Sequence, residues 1–139
     1  MEFTGERFVP TEMGELSLEH WHRYAWCAPA LNGLRVLDIA CGEGYGSALL
    51  ARHASEVVGA DISAEAIAHA NATYASNTNI DFVQASAAAL PFPEASFDAV
   101  VSFETLEHLA AQEEMLRELR RVLKPGGFLQ FSIEHPCFA

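Results

Sequence analysis

Residues 36–46 read VLDIACGEGYG, and this stretch constrains the fold more than any other part of the chain. An apolar run leads into glycines at every second position, Gly42, Gly44 and Gly46. Glycine loses more conformational entropy on folding than any other residue, so glycines this close together need a reason. Because the apolar run is typical of a buried strand, we predict that the glycines form a loop between this strand and a following helix. We expect another group to come very close to this backbone.

Strand patterns alternate with helix patterns along the rest of the chain. Strands are predicted at residues 35–40, 56–61, 79–85, 97–103 and 127–133. Helices are predicted at residues 16–31 as far as Pro29, 47–54, 64–74 and about 105–123. Strands that are apolar throughout and alternate with helices indicate a parallel sheet covered on both faces. The predicted fold class is therefore α/β, a doubly wound parallel sheet of about five strands.

Local signals support these boundaries. Ser63 is a candidate N-cap for the helix that begins at residue 64. The sequence KPGG, residues 124–127, is expected to end the last helix in a turn. That helix carries a predicted apolar stripe of Leu106, Leu109, Leu116, Leu119 and Val122.

Length and charge limit the possible functions. The 139 residues predict one domain, with residues 1–34 as an N-terminal cap and 35–133 as the core. The net charge is −11 with no basic run, which argues against nucleic acid and anionic membranes as partners. Three cysteines without a CxxC pair favour free thiols and a cytoplasmic location. The N-terminus lacks a signal-peptide pattern, and no apolar run is long enough to span a bilayer.

Two common phosphate-binding motifs do not fit the glycine stretch. In the dinucleotide fingerprint GxGxxG, the third glycine would stand where this chain has Ser47. A P-loop requires Gly-Lys-Ser/Thr, which is absent here. Both mismatches argue against a pyrophosphate ligand.

Asp61 points to a nucleoside instead. It closes the second predicted strand about twenty residues beyond the glycines, where an acidic side chain can accept hydrogen bonds from ribose hydroxyls. The alternative is a tight turn with an incidental aspartate. The order of the features along the chain favours a nucleoside site.

Four segments together resemble one family. The sequences DIACGEGYG, VVGADIS, LPFPEASFDAVVSFETLEHL and RVLKPGG are similar to those of class I S-adenosylmethionine-dependent methyltransferases, and the resemblance covers residues 35–133. It implies a Rossmann-like fold and S-adenosyl-L-methionine as the cofactor. The segment TGERFVPTEMGELSLEHWHRY also resembles a subgroup associated with bacterial surface-polysaccharide gene clusters.

The resemblance also implies roles for individual residues. Asp61 would bind the ribose, Ile62 would lie against the adenine, and Asp38 with the glycine segment would face the methionine half. Ser86 and Ala87 stand where the family usually has Asp-Ala, so we expect weaker cofactor binding rather than none. The full predicted set is Asp38, Ala40, Cys41, Gly42, Gly44, Gly46, Asp61, Ile62, Ser86, Ala87, Phe103 and Glu104.

Glu104 and His108 are the predicted catalytic residues. If the acceptor is a hydroxyl, a base must remove its proton, and both residues follow the fourth strand. The pattern Glu104, Glu107, His108, with His135 as a fourth ligand, also matches a metal site found in some methyltransferases. We favour the simpler interpretation, in which the glutamates complement the helix dipole and no metal binds.

The first helix has two interpretations. Arg23 could meet the methionine carboxylate while Tyr24 covers the methyl pocket. The simpler alternative is that Trp21, Tyr24 and Trp26 pack the helix onto the sheet. Cys41 is expected to be a small apolar residue, because no neighbouring base is evident.

Two functions are compatible with these features. The first is methyl transfer to a small-molecule or sugar acceptor, and the second is a non-catalytic nucleoside-binding module acting through dimer assembly. The resembling family usually continues with a C-terminal antiparallel strand pair, which we do not expect in this chain, and the fifth strand would then be an edge carrying Phe128, Phe131 and Ile133. Apolar edges pair readily with other chains, so we expect a homodimer or a piece of a longer protein.

Overall fold

The computed structural model describes residues 14–103 and 112–132, in which helices and strands alternate. The helices are α1 (Gly14–Cys27), a 3-10 helix (Ala28–Leu31), α2 (Tyr45–Leu50), α3 (Ala64–Thr73) and α4 (Gln112–Val122). The strands are β1 (Arg35–Ile39), β2 (Glu56–Asp61), β3 (Ile80–Gln84), β4 (Phe97–Phe103) and β5 (Leu123–Ser132). No helix within these two ranges is long and apolar enough to cross a membrane.

The five strands form one parallel sheet in the order β3-β2-β1-β4-β5. The predicted α/β class and doubly wound parallel sheet are therefore confirmed. From β1 the chain winds first towards β3 and then, after crossing back, towards β5. The order reverses between β1 and β4, and ligands in such sheets bind beyond the carboxyl ends of the strands at this reversal.

The sheet separates two apolar cores. Val36 and Leu37 are neighbours in β1 and both are fully buried, but they belong to different cores. Val36 packs with the α1 side, whereas Leu37 packs with the α4 side. Burial on both faces explains why the strands read as continuous apolar runs instead of alternating with polar residues.

Several predicted boundaries shift in the structure. Helix α2 covers residues 45–50 instead of 47–54, and the first helix tightens into 3-10 geometry where Pro29 enters it. The Ser63 cap is confirmed, because its Oγ accepts a hydrogen bond from the backbone N–H of Ala66 at 3.1 Å. In α4 the predicted Leu119 and Val122 are buried together with Met115, whereas Leu116 is 42% exposed, contrary to prediction. The other two residues of the predicted stripe, Leu106 and Leu109, lie outside the described residues.

The prediction that KPGG forms a turn before the last strand is wrong. Strand β5 begins at Leu123, directly after α4. Phe97 pairs with Leu123 and Ala99 pairs with Phe128, so β5 carries extra residues between these two points. The segment therefore forms an irregularity within the strand, where Gly126 has a φ of +84° that favours glycine.

Candidate functional site

A cavity of about 300 Å³ lies at the carboxyl ends of β1, β2 and β3. Its lining residues come from the end of each strand and the segment that follows it: Ile39, Ala40, Ala60, Asp61, Ile62, Ala85, Ser86 and Ala87. Five of the predicted cofactor residues are therefore brought together here, namely Ala40, Asp61, Ile62, Ser86 and Ala87. The walls are mainly apolar, with one carboxylate and one hydroxyl, as is typical of small-molecule sites.

The glycines of the loop at residues 40–46, called the glycine loop below, have different physical roles. A Cβ on Gly42 would meet nothing within 4 Å, so this part of the backbone faces open space. Gly42 has a φ of +58°, and Ala40 also has a positive φ, of 61°. A non-glycine residue held at positive φ stores strain, which is common at ligand sites. The exposed backbone of Gly42 is therefore the part of the loop best suited to approach a ligand.

Gly44 and Gly46 make room for the protein itself. A Cβ on Gly44 would lie 2.8 Å from the ring of Phe82, on β3. A Cβ on Gly46 would lie 2.3–2.6 Å from ring atoms of Tyr24, on α1. Both are shorter than any normal carbon contact, so these glycines allow β3 and α1 to pack against the loop. The predicted contacts of Gly44 and Gly46 with methionine would therefore have to come from their backbones.

Asp61 is held at the rim of the cavity by two backbone N–H groups. Its Oδ2 accepts a hydrogen bond from Gly42 at 2.8 Å, and its Oδ1 accepts one from Ser63 at 2.9 Å. Each carboxylate oxygen can accept a further hydrogen bond. Because Asp61 is only partly buried and lines the cavity, it can still receive hydroxyl donors from a ligand.

Asp38 lies under the glycine loop and has no exposed surface. Its Oδ1 accepts a hydrogen bond from the Tyr24 hydroxyl at 3.0 Å, and its Oδ2 accepts one from the Ser47 hydroxyl at 2.7 Å. Burial raises the pKa of Asp38 to about 7, although both hydrogen bonds act in the opposite direction. The carboxylate of Asp38 is therefore covered in this structure, and the predicted contact with the methionine half would have to act through the loop or through its charge.

The segment after β3 is fastened to α4. The backbone N–H of Leu90 donates to Glu118 at 2.8 Å, while the Arg121 guanidinium donates to the carbonyls of Leu90 and Phe92 at 3.0 and 2.8 Å. Glu118 and Arg121 also pair with each other at 2.9 Å. Sequence reasoning missed this clamp, since it assigned no contact to Glu118 or Arg121. The clamp fixes the segment that carries Ser86 and Ala87.

A second, larger cavity of about 580 Å³, called the groove below, lies beside α1 and the ends of β4 and β5. It is lined by His22, Arg23, Ala25, Trp26, Phe103 and Gln130. Trp26 is 75% exposed, so the expectation that it packs onto the sheet is wrong, whereas Tyr24 is 1% exposed and does pack there. Arg23 and Phe103, both predicted near the cofactor, line the groove and not the smaller cavity.

The cysteines near the site do not have the properties of nucleophiles. Cys27 and Cys41 are buried and free. Burial raises the pKa of Cys27 to about 11 and raises that of Cys41 further, so both thiols remain protonated.

The predicted catalytic and metal-binding residues cannot be placed. Glu104, Glu107, His108 and His135 lie outside the described residues. Within residues 14–103 and 112–132, no group of three or more potential ligands could hold a metal.

The smaller cavity has the properties that a nucleoside requires. Asp61 can accept hydroxyl donors, and Ile39 and Ala60 offer apolar surface. Gly42, which donates to Asp61, has open space beside its backbone. Among the described residues that line this cavity there is no lysine or arginine, so none of their side chains would neutralise a phosphate.

Comparison with known proteins agrees with this chemistry. Residues 37–131 match the family model described as a methyltransferase domain. The chain belongs to the methyltransferase family. A protein of Mycobacterium tuberculosis described as a probable S-adenosylmethionine-dependent methyltransferase is 38% identical over 138 residues, which is 95% of this chain and 48% of that protein. The cofactor of this family is S-adenosyl-L-methionine, and the residues of the smaller cavity fit its nucleoside part.

Two further proteins that match this chain are also named as methyltransferases. A fatty-acid O-methyltransferase of Mycolicibacterium smegmatis is 32% identical over 129 residues, covering 91% of this chain and 46% of that protein. The crystal structure of an S-adenosylmethionine-dependent methyltransferase from Mesorhizobium loti superposes with a TM-score of 0.74 at 32% identity, covering 84% of this chain and 54% of that one. The chain spans about half the length of the curated relatives that it matches.

Proposed function

We propose that this chain transfers the methyl group of S-adenosylmethionine to a small-molecule acceptor. The observation that carries the proposal is the pairing of Asp61 with the open backbone of Gly42 at the rim of the smaller cavity. The groove beside α1 is separate from that cavity and supplies room for a second molecule.

In this proposal the smaller cavity binds the nucleoside. Asp61 accepts hydrogen bonds from the ribose hydroxyls, Ile62 lies against the adenine, and Ser86 and Ala87 form the opposite wall. The glycine loop, with Cys41 in it, approaches the methionine half through its backbone. Bound S-adenosylmethionine supplies an electrophilic methyl group on a positively charged sulfur. The chain's own tasks are to align the two reactants and to exclude water.

The groove favours an acceptor with an apolar body. Ala25, Trp26 and Phe103 give it apolar walls, and Arg23 and Gln130 add polar groups. The name of the fatty-acid O-methyltransferase relative agrees with such an acceptor. A sugar acceptor remains the alternative that we test against it. Glu104 and His108 are proposed as the base that accepts the proton of a hydroxyl acceptor.

The proposal is tested with S-adenosylhomocysteine and then with acceptors. We expect calorimetry to show one binding site per chain, and labelled S-adenosylmethionine to methylate fatty acids or phenols in preference to free sugars. Replacing Trp26→Ala should raise the acceptor KM but leave cofactor affinity unchanged. Trp21→Ala, outside the groove lining, is the matched control. Absence of S-adenosylhomocysteine binding contradicts the proposal, and binding without turnover of any acceptor favours the non-catalytic module.

We also propose that the chain forms a homodimer through the open edge of β5, in the cytoplasm. Strand β5 is the last strand of the described sheet, and Phe128 on it is 36% exposed. Buried free thiols at Cys27 and Cys41 agree with a reducing compartment. A light-scattering mass of one chain at high concentration would contradict the dimer.

A further inference from the structure

Tyr24 touches both of the regions to which a function has been proposed. Its ring occupies the space that a side chain on Gly46 would need, so α1 packs directly on the backbone of the glycine loop. Its hydroxyl donates to Asp38 beneath the same loop at 3.0 Å. Burial raises the pKa of Tyr24, which keeps this hydroxyl protonated as a donor.

The same side chain also supports the groove. The ring of Phe103, which lines the groove, packs edge-on against the Tyr24 ring with centroids 4.9 Å apart. The groove residues of α1, at positions 22, 23, 25 and 26, lie on both sides of Tyr24 in the sequence. Moving Tyr24 would therefore move one whole wall of the groove. No other α1 side chain that the structure describes is both bonded to Asp38 and packed on the glycine loop.

We propose that Tyr24 is a positioning residue that couples occupancy of the cofactor cavity to the placement of α1, and so to the shape of the groove. With α1 in place, Asp38 has two hydroxyl donors and Gly46 is covered by an aromatic ring. With α1 displaced, Asp38 would keep only the Ser47 donor, and the loop would lose its support. A ligand that needs the ordered loop therefore favours the state in which α1 is in place.

The coupling acts in both directions. If the cofactor stabilises the placed state of α1, it strengthens the binding of any molecule that needs the completed groove. That molecule must then strengthen cofactor binding by the same factor. This inference rests on the proposed use of the groove by the acceptor. Its test uses the cofactor product alone, so that its failure can be told apart from failure of the proposed function.

The test uses Trp26 as a reporter on α1. The chain has two tryptophans, so Trp21→Phe leaves Trp26 as the single tryptophan in a parent protein, and excitation at the red edge of the absorption band selects it over the tyrosines. Trp26 is already 75% exposed with α1 in place, so its emission and not its accessibility to a quencher is the readout. Because Trp26 lines the groove, saturating S-adenosylhomocysteine should shift that emission in this parent. Adding Tyr24→Phe keeps the ring but removes the hydroxyl, and we expect most of that response to be lost.

Ser47→Ala is the matched control. It also removes one hydroxyl donor from Asp38, but Ser47 lies on α2 and not on α1. We expect this variant to retain the Trp26 response even if its cofactor affinity falls. Equal responses in the two variants would overturn the coupling. Absence of S-adenosylhomocysteine binding to the parent would overturn the proposed function, and the coupling with it.

A second measurement needs no substitution. In the native protein, S-adenosylhomocysteine should slow hydrogen exchange of the α1 amides by about tenfold, because ligand binding suppresses the local opening of a coupled element. Helix α4 packs on the opposite face of the sheet and is the internal control. Slowing in α1 no greater than that in α4 would contradict the proposal.

Discussion

The two sides of the glycine loop use the same residue types for different purposes. Below the loop, Asp38 is fully buried and accepts hydrogen bonds from two side-chain hydroxyls. One of these belongs to Tyr24, whose ring fills the space left by the missing side chain of Gly46. Above it, Asp61 is partly exposed, accepts two backbone N–H groups and lies beside Gly42, whose missing side chain leaves open space. The lower side holds the fold together, and the upper side is free to receive a ligand. A residue type alone therefore does not identify a binding residue.

The largest effect should come from the titration of Asp38. The pKa of this carboxyl rises from an ordinary 3.8 to about 7 in the folded protein because it is buried. Between these values unfolding releases a proton, so the free energy of unfolding should fall as pH rises from about 4 to about 7, by up to about 4 kcal/mol. Above about pH 7 Asp38 is ionised in both the folded and the unfolded protein, so its contribution to the free energy of unfolding should no longer change with pH.

Urea unfolding across this pH range measures the effect. The variant Asp38→Asn has no carboxyl to titrate, so its free energy of unfolding should depend less on pH than that of the native protein. Every other residue is common to the two proteins, so the difference between the two curves isolates Asp38. Identical slopes would mean that Asp38 is ionised in the folded state throughout this range.

The matching change on the upper side is Asp61→Ala. Because this removes charge-assisted acceptors for the ribose and the hydrogen bond that holds Gly42, we expect cofactor affinity to fall by about 2–3 kcal/mol, roughly a hundredfold. Calorimetric titration with S-adenosylhomocysteine measures it, and Asp81→Ala, an exposed aspartate on β3, is the control. Unchanged affinity would show that the ribose lies elsewhere.

The two glycines offer a sharper contrast. Gly46→Ala introduces a methyl group that overlaps ring atoms of Tyr24, so the free energy of unfolding should fall by about 1–3 kcal/mol. Gly42→Ala meets no atom, so its loss of stability should be limited to the strain of a positive φ, about 1 kcal/mol. Its methyl group should instead obstruct the ligand and weaken cofactor binding. Urea unfolding of both variants measures the loss of stability, and calorimetry measures the loss of cofactor affinity. A larger stability loss in Gly42→Ala with a larger affinity loss in Gly46→Ala would contradict the distinction between the two sides of the loop.

Much of the fold follows from local patterns. The strand and helix order was predictable because burial on both faces makes the strands apolar throughout, and the position of Asp61 at the carboxyl end of the second strand followed from that order. The hydrogen bond between Asp38 and Tyr24 was not predictable, because Tyr24 lies fourteen positions away and the two residues meet only through packing. A signal did exist. Tyr24, Cys27, Ala28 and Leu31 are all buried and follow helical spacing, and Trp26 falls outside that stripe.

The smallest expected effect concerns the far wall of the cavity. The Ser86 hydroxyl accepts a hydrogen bond from the backbone N–H of Ala88 at 3.1 Å, so part of its capacity is used within its own turn. A carboxylate there has two oxygens and can hold the same N–H while it accepts from an adenine amino group. We therefore expect Ser86→Asp to tighten S-adenosylhomocysteine binding by about 1 kcal/mol, roughly fivefold. Ser86→Ala is the matched control and should weaken the turn without this gain. Calorimetry on both variants decides the matter, and weaker binding by Ser86→Asp than by Ser86→Ala would mean that the adenine amino group does not point at this wall.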